Sequence, residues 1–200
     1  MSRLATSVVL GFHGCSKAVG TRILDGETDL IESDQEYDWL GPGAYFWEND
    51  AVRAREWAED KVTLGRFKEA FVIGAVIDLG NCLDLLVRED LPLLRSAYDD
   101  LVAQRNATNS QMPRNGDLPH DAHKDKLLRK LDCAVIRNLH EIIANTPDDA
   151  PDRVEPFDTV RGLFTEGAPL YPGAGFYEKT HTQIAVRNVA CIRGLFRPRD

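Results

Sequence analysis

A histidine and a glycine close the first apolar run of the chain, in the stretch "GFHGCS" at residues 11–16. The β-branched and apolar residues before this pair predict a short buried strand that ends at it. Because glycine has no side chain, a ligand can approach the backbone of Gly14 closely, and the imidazole of His13 offers a donor or an acceptor to a hydroxyl. The simpler alternative is a turn whose histidine is satisfied within the protein.

A second stretch, "WLGPGAYFWEND" at residues 39–50, combines glycine, proline and aromatic residues. Its "GPG" turn is stiff and fixes the position from which Tyr45 emerges. An aromatic ring stacks on flat ligands and a phenolic hydroxyl orients them, although Tyr45 is equally compatible with a core position. Phe46 is expected to line the same pocket or the core beneath it. Trp47 is expected in the core, because successive residues of a strand alternate between faces.

The two stretches together resemble the catalytic domain of the ADP-ribosyltransferases, in the histidine–tyrosine branch that includes poly(ADP-ribose) polymerases and diphtheria toxin. That branch begins with a strand ending in His-Gly-Ser/Thr, and "FHGCS" has the pair with Cys15 before Ser16. Its second mark, G-x-G-x-Y-F followed by a helix, is matched by "GPGAYFWENDAVRAREWA". Its third mark is a glutamate at the start of a late strand, where "HTQIAV" has Gln183. The resemblance does not extend to residues 86–153.

The resemblance implies an enzyme that uses NAD as co-substrate, transfers ADP-ribose to a macromolecular acceptor and releases nicotinamide. Gly14 would hold the nicotinamide carboxamide through its backbone, and His13 would bond a hydroxyl of the adenosine-side ribose. Tyr45 would stack on the nicotinamide ring, and Ser16, Phe46 and His181 belong to the same NAD-binding set. Cleavage of the nicotinamide–ribose bond builds oxocarbenium character, so such a site acts mainly through positioning and electrostatics.

The resemblance leaves open which residue supports this developing positive charge. Gln183 accepts hydrogen bonds but carries no negative charge, and loss of one well-placed electrostatic group costs on the order of 10²–10³ in rate. Glu166 and Glu178 lie on the segment that enters the last strands and either one supplies a carboxylate; Glu166, which directly follows a strand, is the favoured candidate. His181 shares a strand face with Gln183 and is expected to line the cleft, or to make a structural hydrogen bond.

The elements that position these residues form an α+β pattern, with strands at both ends of the chain and helices between them. The resemblance specifies this as split, mostly antiparallel β-sheets with flanking helices, in a single domain over residues 1–200. Helices are predicted over residues 17–24, from residue 50, over residues 91–102 and along residues 127–143. Residues 104–123 and 146–156 are polar, lack a sustained period and are predicted to be mobile loops.

Composition narrows the choice of partners. The chain carries 24 Lys and Arg against 32 Asp and Glu, a net charge of −8, which favours a protein acceptor over nucleic acid. Its four cysteines lack metal or redox spacing, and we expect no metal site. The sequence shows neither a signal peptide nor a membrane span, so we expect a cytoplasmic protein, or one delivered into a target cell, without membrane contact.

The resemblance and this composition together are typical of a bacterial toxin or a phage-conflict effector with a cognate antitoxin or inhibitor protein. Three alternatives stay open at the level of the sequence. The first is an NAD glycohydrolase, in which water replaces the macromolecular acceptor. The second is a catalytically inactive module that binds NAD or ADP-ribose. The third is a related enzyme acting on RNA 2′-phosphates, which needs several basic residues that are not found near the motifs.

Overall fold

The computed structural model describes residues 8–119, 122–151 and 153–199. Nine strands and four α-helices are assigned within those ranges. In chain order they are β1 (Val8–Ser16), α1 (Lys17–Leu24), β2 (Ala44–Glu48), α2 (Ala51–Thr63), β3 (Ala70–Asp78), β4 (Cys82–Asp84), α3 (Leu91–Ala107), β5 (Asn115–Gly116), β6 (Leu128–Arg129), α4 (Lys130–Asn145), β7 (Thr159–Phe164), β8 (His181–Val186) and β9 (Ile192–Phe196).

Side-chain caps define where the first two helices begin. The hydroxyl of Ser16 accepts a hydrogen bond from the backbone of Val19 at the start of α1, and the carboxylate of Asp50 accepts one from Arg53 at the start of α2. Such caps satisfy backbone N–H groups that have no partner inside the helix. Gly26, with φ of 74°, follows the C-cap residue Asp25, in a conformation that glycine adopts without a steric penalty. The predicted bounds of α1 are confirmed.

Seven strands form one sheet in the order β4-β7-β8-β2-β1-β3-β9, and β5 pairs separately with β6. Every neighbouring pair in the large sheet is antiparallel except β4 and β7, which run parallel. The prediction of an α+β fold with a mostly antiparallel sheet and flanking helices is therefore confirmed.

The junction between β1 and β2 is the narrowest in the large sheet. Only two residue pairs join these strands, Gly11 with Glu48 and Phe12 with Trp47, whereas nine pairs join β1 to β3. The ladder between β1 and β2 thus ends just before His13. Beyond that point the two strands separate, so residues 13–16 and 44–46 do not pair with each other.

The two faces of the sheet carry different helices. One face packs against α2, α3 and α4 and includes the side chains of Tyr45 and Trp47. The opposite face packs around Phe46, which is completely buried, and extends to α1 and β9. Because residues paired across neighbouring strands share a face, Trp47 and Gln183 point to the same side.

The structure corrects two predictions of secondary structure. The last stretch, interpreted as one strand-like segment, divides into β8 and β9 with a single 3₁₀ turn between them (Val189–Cys191), which moves β9 to the opposite edge of the sheet. The third helix continues to Ala107, so the predicted loop at 104–123 begins within it and also contains β5. Residues 120, 121 and 152 of the two predicted mobile loops lie outside the described residues, and the mobility of those loops stays a prediction. Among the described residues, the helices are all too short or too polar to cross a membrane.

Candidate active site

Three neighbouring strands bring the sequence motifs together. The order β8-β2-β1 places Gln183 and His181, then Tyr45, then His13 and Gly14 on adjacent strands. The most direct contact joins His13 to β2, because its Nδ1 lies 2.8 Å from the backbone carbonyl oxygen of Tyr45. This contact lies where the β1–β2 ladder has ended.

The protonation state of His13 follows from that contact. A carbonyl oxygen only accepts hydrogen bonds, so Nδ1 must carry a proton and donate it. Burial lowers the pKa of His13, which favours the neutral imidazole. In a neutral ring with a protonated Nδ1, Nε2 holds a lone pair, so His13 can accept a hydrogen bond from a hydroxyl.

Gly14 and Ser16 have structural partners of their own. A Cβ at Gly14 would lie 2.3 Å from the backbone oxygen of Ala54, so the missing side chain allows α2 to pack directly on β1. Ser16 caps α1 and also lines a recess of about 770 Å³ between that helix and residues 66–69. The binding of the nicotinamide carboxamide by Gly14 stays a prediction.

Tyr45 is fixed by its hydroxyl group. The hydroxyl accepts a hydrogen bond from the backbone N–H of Leu40 at 3.0 Å and donates one to the carbonyl of Gly41 at 2.8 Å. Burial raises the pKa of Tyr45, so the phenol stays protonated. Its ring lies on the opposite face of the sheet from Phe46, whose ring centroid is 5.8 Å from that of His13.

Gln183 is oriented by a tryptophan. The indole N–H of Trp39 donates to Oε1 of Gln183 at 2.6 Å. Because an indole nitrogen only donates, this contact identifies Oε1 as the acceptor and leaves the amide NH₂ of Gln183 available as a donor. One acceptor position of the Gln183 amide oxygen is thus used by Trp39.

Glu166 is buried beside an arginine that the sequence analysis did not select. Nη2 of Arg53 donates to both carboxylate oxygens of Glu166, at 2.9 and 3.0 Å. Both residues are buried, with 9% of Arg53 and 8% of Glu166 exposed, and the pair joins α2 to the loop after β7. Glu178, the other candidate carboxylate, is exposed.

His181 lies between Glu166 and Trp47. Its ring stacks on Phe164 with centroids 5.5 Å apart and planes within 3°, and its Nδ1 is 3.9 Å from the Glu166 carboxylate. Nδ1 donates to the carbonyl of Lys179 at 2.6 Å. Burial lowers the pKa of His181 and the positive charge of Arg53 adds to this effect, so the ring is neutral.

A second arginine borders the same face. The guanidinium of Arg129 lies 3.9 Å from the ring centroid of Phe164 and 5.2 Å from that of Trp39. Arg53 lies in the helix after the G-x-G-x-Y-F segment but is not one of its marked residues, and Arg129 lies outside both motifs. A signal exists for Arg53, which precedes Trp57 by one helical turn and so falls on the apolar side of α2. Arg129 and Trp39 have no comparable signal, because their partners are distant in sequence.

The residues selected from the sequence thus fall into two groups. Tyr45, Gln183, His181 and Glu166 lie on or beside the face that packs against α2, whereas the side chain of His13 leaves β1 toward the other face, next to Phe46. The two groups meet in the contact of His13 with the backbone carbonyl of Tyr45, beyond the end of the β1–β2 ladder.

Comparison with known proteins adds no relative. A scan against protein-family models gave no match, and neither did searches of curated proteins and of solved structures.

Proposed function

We propose that this protein is an NAD-dependent ADP-ribosyltransferase that transfers ADP-ribose to a protein acceptor and releases nicotinamide. One observation carries the proposal: His13 and Tyr45 lie on adjacent strands whose pairing has ended before these two residues, with Gln183 on the next strand along. A flat amide and its ribose need both an open backbone edge and nearby hydrogen-bonding side chains. Where β1 and β2 cease to pair, residues 13–16 and 44–46 have backbone groups that are not used in the ladder between these two strands, and His13 and Tyr45 lie beside them.

The tautomer of His13 supports the assigned role of this residue. A ribose hydroxyl needs an acceptor for its proton, and the lone pair on Nε2 of a neutral His13 provides one. The hydrogen bond from Nδ1 to the Tyr45 carbonyl, 2.8 Å long, holds the ring in this tautomer. A charged histidine would offer only donors, and burial disfavours that state.

Glu166 is the carboxylate best placed to support the developing positive charge. In the reaction the bond between nicotinamide and the ribose anomeric carbon breaks, nicotinamide leaves with the electron pair, and the acceptor nucleophile bonds to that carbon and loses its proton. Arg53 fixes the orientation of the Glu166 carboxylate, and each carboxylate oxygen retains a second lone pair. Gln183 lies on the same face but contributes hydrogen bonds without charge.

The experiment is incubation of the purified protein with NAD labelled in its adenylate phosphate, together with whole-cell lysate, followed by protease or nuclease treatment. We expect protease-sensitive labelling that is lost in His13→Ala. Tyr45→Ala should also lose it, whereas Tyr45→Phe, which keeps the ring, should retain it if stacking is the role of Tyr45. His140→Gln serves as a control, because His140 is buried among residues of the α4 core.

The outcome also separates the alternatives. Release of nicotinamide without labelling of any macromolecule identifies a glycohydrolase. Thermal stabilisation by NAD without turnover identifies a binding module. Nuclease-sensitive label assigns a nucleic-acid acceptor, and wild-type labelling by His13→Ala contradicts the proposed site.

A further inference from the structure

Of the six side chains that have a buried polar atom without a hydrogen-bond partner among the described residues, three lie next to one another. Their unpartnered atoms are Nε1 of Trp47, Nε and Nη1 of Arg53, and Nε2 of His181. These residues come from β2, α2 and β8, and their exposed fractions are 6%, 9% and 6%. A buried polar group without a partner costs about 1–3 kcal/mol, so three together indicate a missing partner.

The three side chains are neighbours. The guanidinium carbon of Arg53 lies 5.7 Å from the Trp47 ring centroid, and the Trp47 and His181 rings are 6.2 Å apart. Glu166 touches the other side of the group, bonded to Nη2 of Arg53 and 3.9 Å from Nδ1 of His181. The unpartnered atoms therefore belong to a single cluster, which we call the Trp47–Arg53–His181 cluster.

The chemistry of these atoms defines what completes the cluster. The indole and guanidinium nitrogens only donate hydrogen bonds. In His181, Nδ1 is protonated because it donates to the Lys179 carbonyl, so Nε2 of the neutral ring only accepts. The missing partner must accept from Trp47 or Arg53 and also donate to His181.

A hydroxyl group meets this requirement, since it has one proton to donate and two lone pairs. A carboxylate, phosphate dianion or carbonyl accepts but cannot donate to Nε2, and an ammonium group donates but cannot accept. A carboxamide does both, but it donates and accepts through two different atoms, whereas a hydroxyl does so through one oxygen. We propose that the Trp47–Arg53–His181 cluster is a binding site for one hydroxyl group, which is a water molecule in the free protein and the hydroxyl of an alcohol acceptor during reaction.

The second half of this proposal, the binding of an alcohol acceptor, rests on the proposed function. It adds to that function the chemical class of the acceptor. The hydroxyl oxygen forms the new bond to the ribose anomeric carbon, the nicotinamide bond breaks, and the hydroxyl proton passes to Nε2 of His181. Glu166 lies beside the imidazole and stabilises the imidazolium that results. The acceptor is then a serine, threonine or tyrosine hydroxyl, and water at the same position gives hydrolysis.

The test of the site itself uses the free, full-length protein with ¹⁵N-labelled tryptophan and histidine, without NAD. We expect the Trp47 indole proton to cross-relax with a long-lived water, and Nε2 of His181 to be unprotonated at pH 7. The Trp39 indole is the matched control: its N–H is bonded to Gln183, and it should show no such water. Trp47→Phe assigns the signal. A Trp47 indole without water contact, or a His181 protonated on Nε2, overturns the proposal.

A second experiment tests whether the cluster holds the acceptor during the reaction. It measures nicotinamide release from NAD with water alone and with added methanol as a small alcohol acceptor. We expect methyl ADP-ribose as a product, and His181→Gln to lower its formation by on the order of 10²–10⁴, the usual contribution of a general base. Unchanged formation in His181→Gln overturns the role of His181 while the proposed function stands. If the water is present but NAD is never cleaved, the site stands and the proposed function fails.

Discussion

Two arginines on opposite faces of the sheet are paired in very different ways. Arg161 donates from Nε and Nη2 to Glu48, at 2.6 and 3.0 Å, and from Nη1 to Asp84 at 3.0 Å. Arg53 donates to Glu166 from Nη2, while its Nε and Nη1 are without a hydrogen-bond partner among the described residues.

The difference separates an arginine that holds strands together from one that retains binding capacity. Arg161 joins β7 to β2 and β4, and each of its nitrogens is satisfied, as a structural ion network requires. Arg53 is the more buried of the two, yet its Nε and Nη1 have no hydrogen-bond partner among the described residues, and Nη1 only approaches the carboxylate of Glu56 at 3.9 Å. Unsatisfied donors in a buried place favour a functional role for Arg53.

The largest expected difference between the two arginine sites is in NAD turnover, when the carboxylate beside each arginine is replaced by glutamine. Glu166→Gln should lower NAD turnover by about 10²–10³, the cost of removing one electrostatic group from the reacting centre. Glu48→Gln makes the same change in the Arg161 network and should leave turnover within about twofold. The measurement is nicotinamide release by both variants at saturating NAD. Full turnover in Glu166→Gln would move the charge to Glu178 or leave Gln183 acting alone.

The second prediction concerns stability. Arg161→Leu leaves Glu48 and Asp84 half-buried without a cation, which should lower the free energy of unfolding by about 3 kcal/mol. Arg95→Leu is the matched control, because Arg95 forms an exposed pair with Asp99, and loss of an exposed pair should change the free energy of unfolding much less. Urea denaturation of both variants measures the difference. Equal costs would show that the Arg161 network is not structural.

The third prediction uses pH, because the Arg161 network contains no histidine whereas His181 faces Arg53, Glu166 and Asp50. An unfolded histidine binds a proton near pH 6.5, but burial lowers the pKa of His181, and that of His140 to about 3. Their contribution to stability is therefore present above pH 6.5 and is lost as the pH falls toward the folded-state values. Each contributes a slope of up to about 1.4 kcal/mol per pH unit in that window.

The measurement is the free energy of unfolding at pH 7, 6, 5 and 4. His140→Gln and His181→Gln should each reduce the slope of the free energy of unfolding on the acid side of the curve. Arg161→Leu should lower the free energy of unfolding at every pH and leave that slope in place. A wild-type curve that is flat between pH 7 and 4 would mean that these histidines are protonated in the folded protein.

The smallest expected effect is at the hydrogen bond between Trp39 and Gln183. Trp39→Phe removes the donor and should cost about 1 kcal/mol for the hydrogen bond, beyond any loss of packing. Its specific consequence is a Gln183 amide that is free to rotate. A double-mutant cycle with Gln183→Leu measures the coupling, and a coupling energy near zero would show that the contact does not orient the amide.

The elements around the site were predictable because their signals are local. A cap at Ser16 and a glycine at residue 26 bracket α1, and an apolar, β-branched run defines β3. The division of the last segment into β8 and β9 was not apparent, because both halves have strand composition and the break is one 3₁₀ turn.

The polar contacts of the site were less predictable. Arg53 and Glu166 are 113 residues apart, and Trp39 and Gln183 are 144 apart, so local periodicity does not connect them. The sequence identified Glu166 and His181 as candidates from their place on the chain, but their partners are set by how α2 packs on the sheet.

The most direct test of the account is nicotinamide release from NAD by the purified protein, with and without lysate, in wild type and in His13→Ala. We predict release by the wild-type protein and a loss of at least about 10²-fold in the variant, with the melting temperature of the variant within a few degrees of wild type. Absence of release under both conditions, or equal rates in the two proteins, would contradict the account.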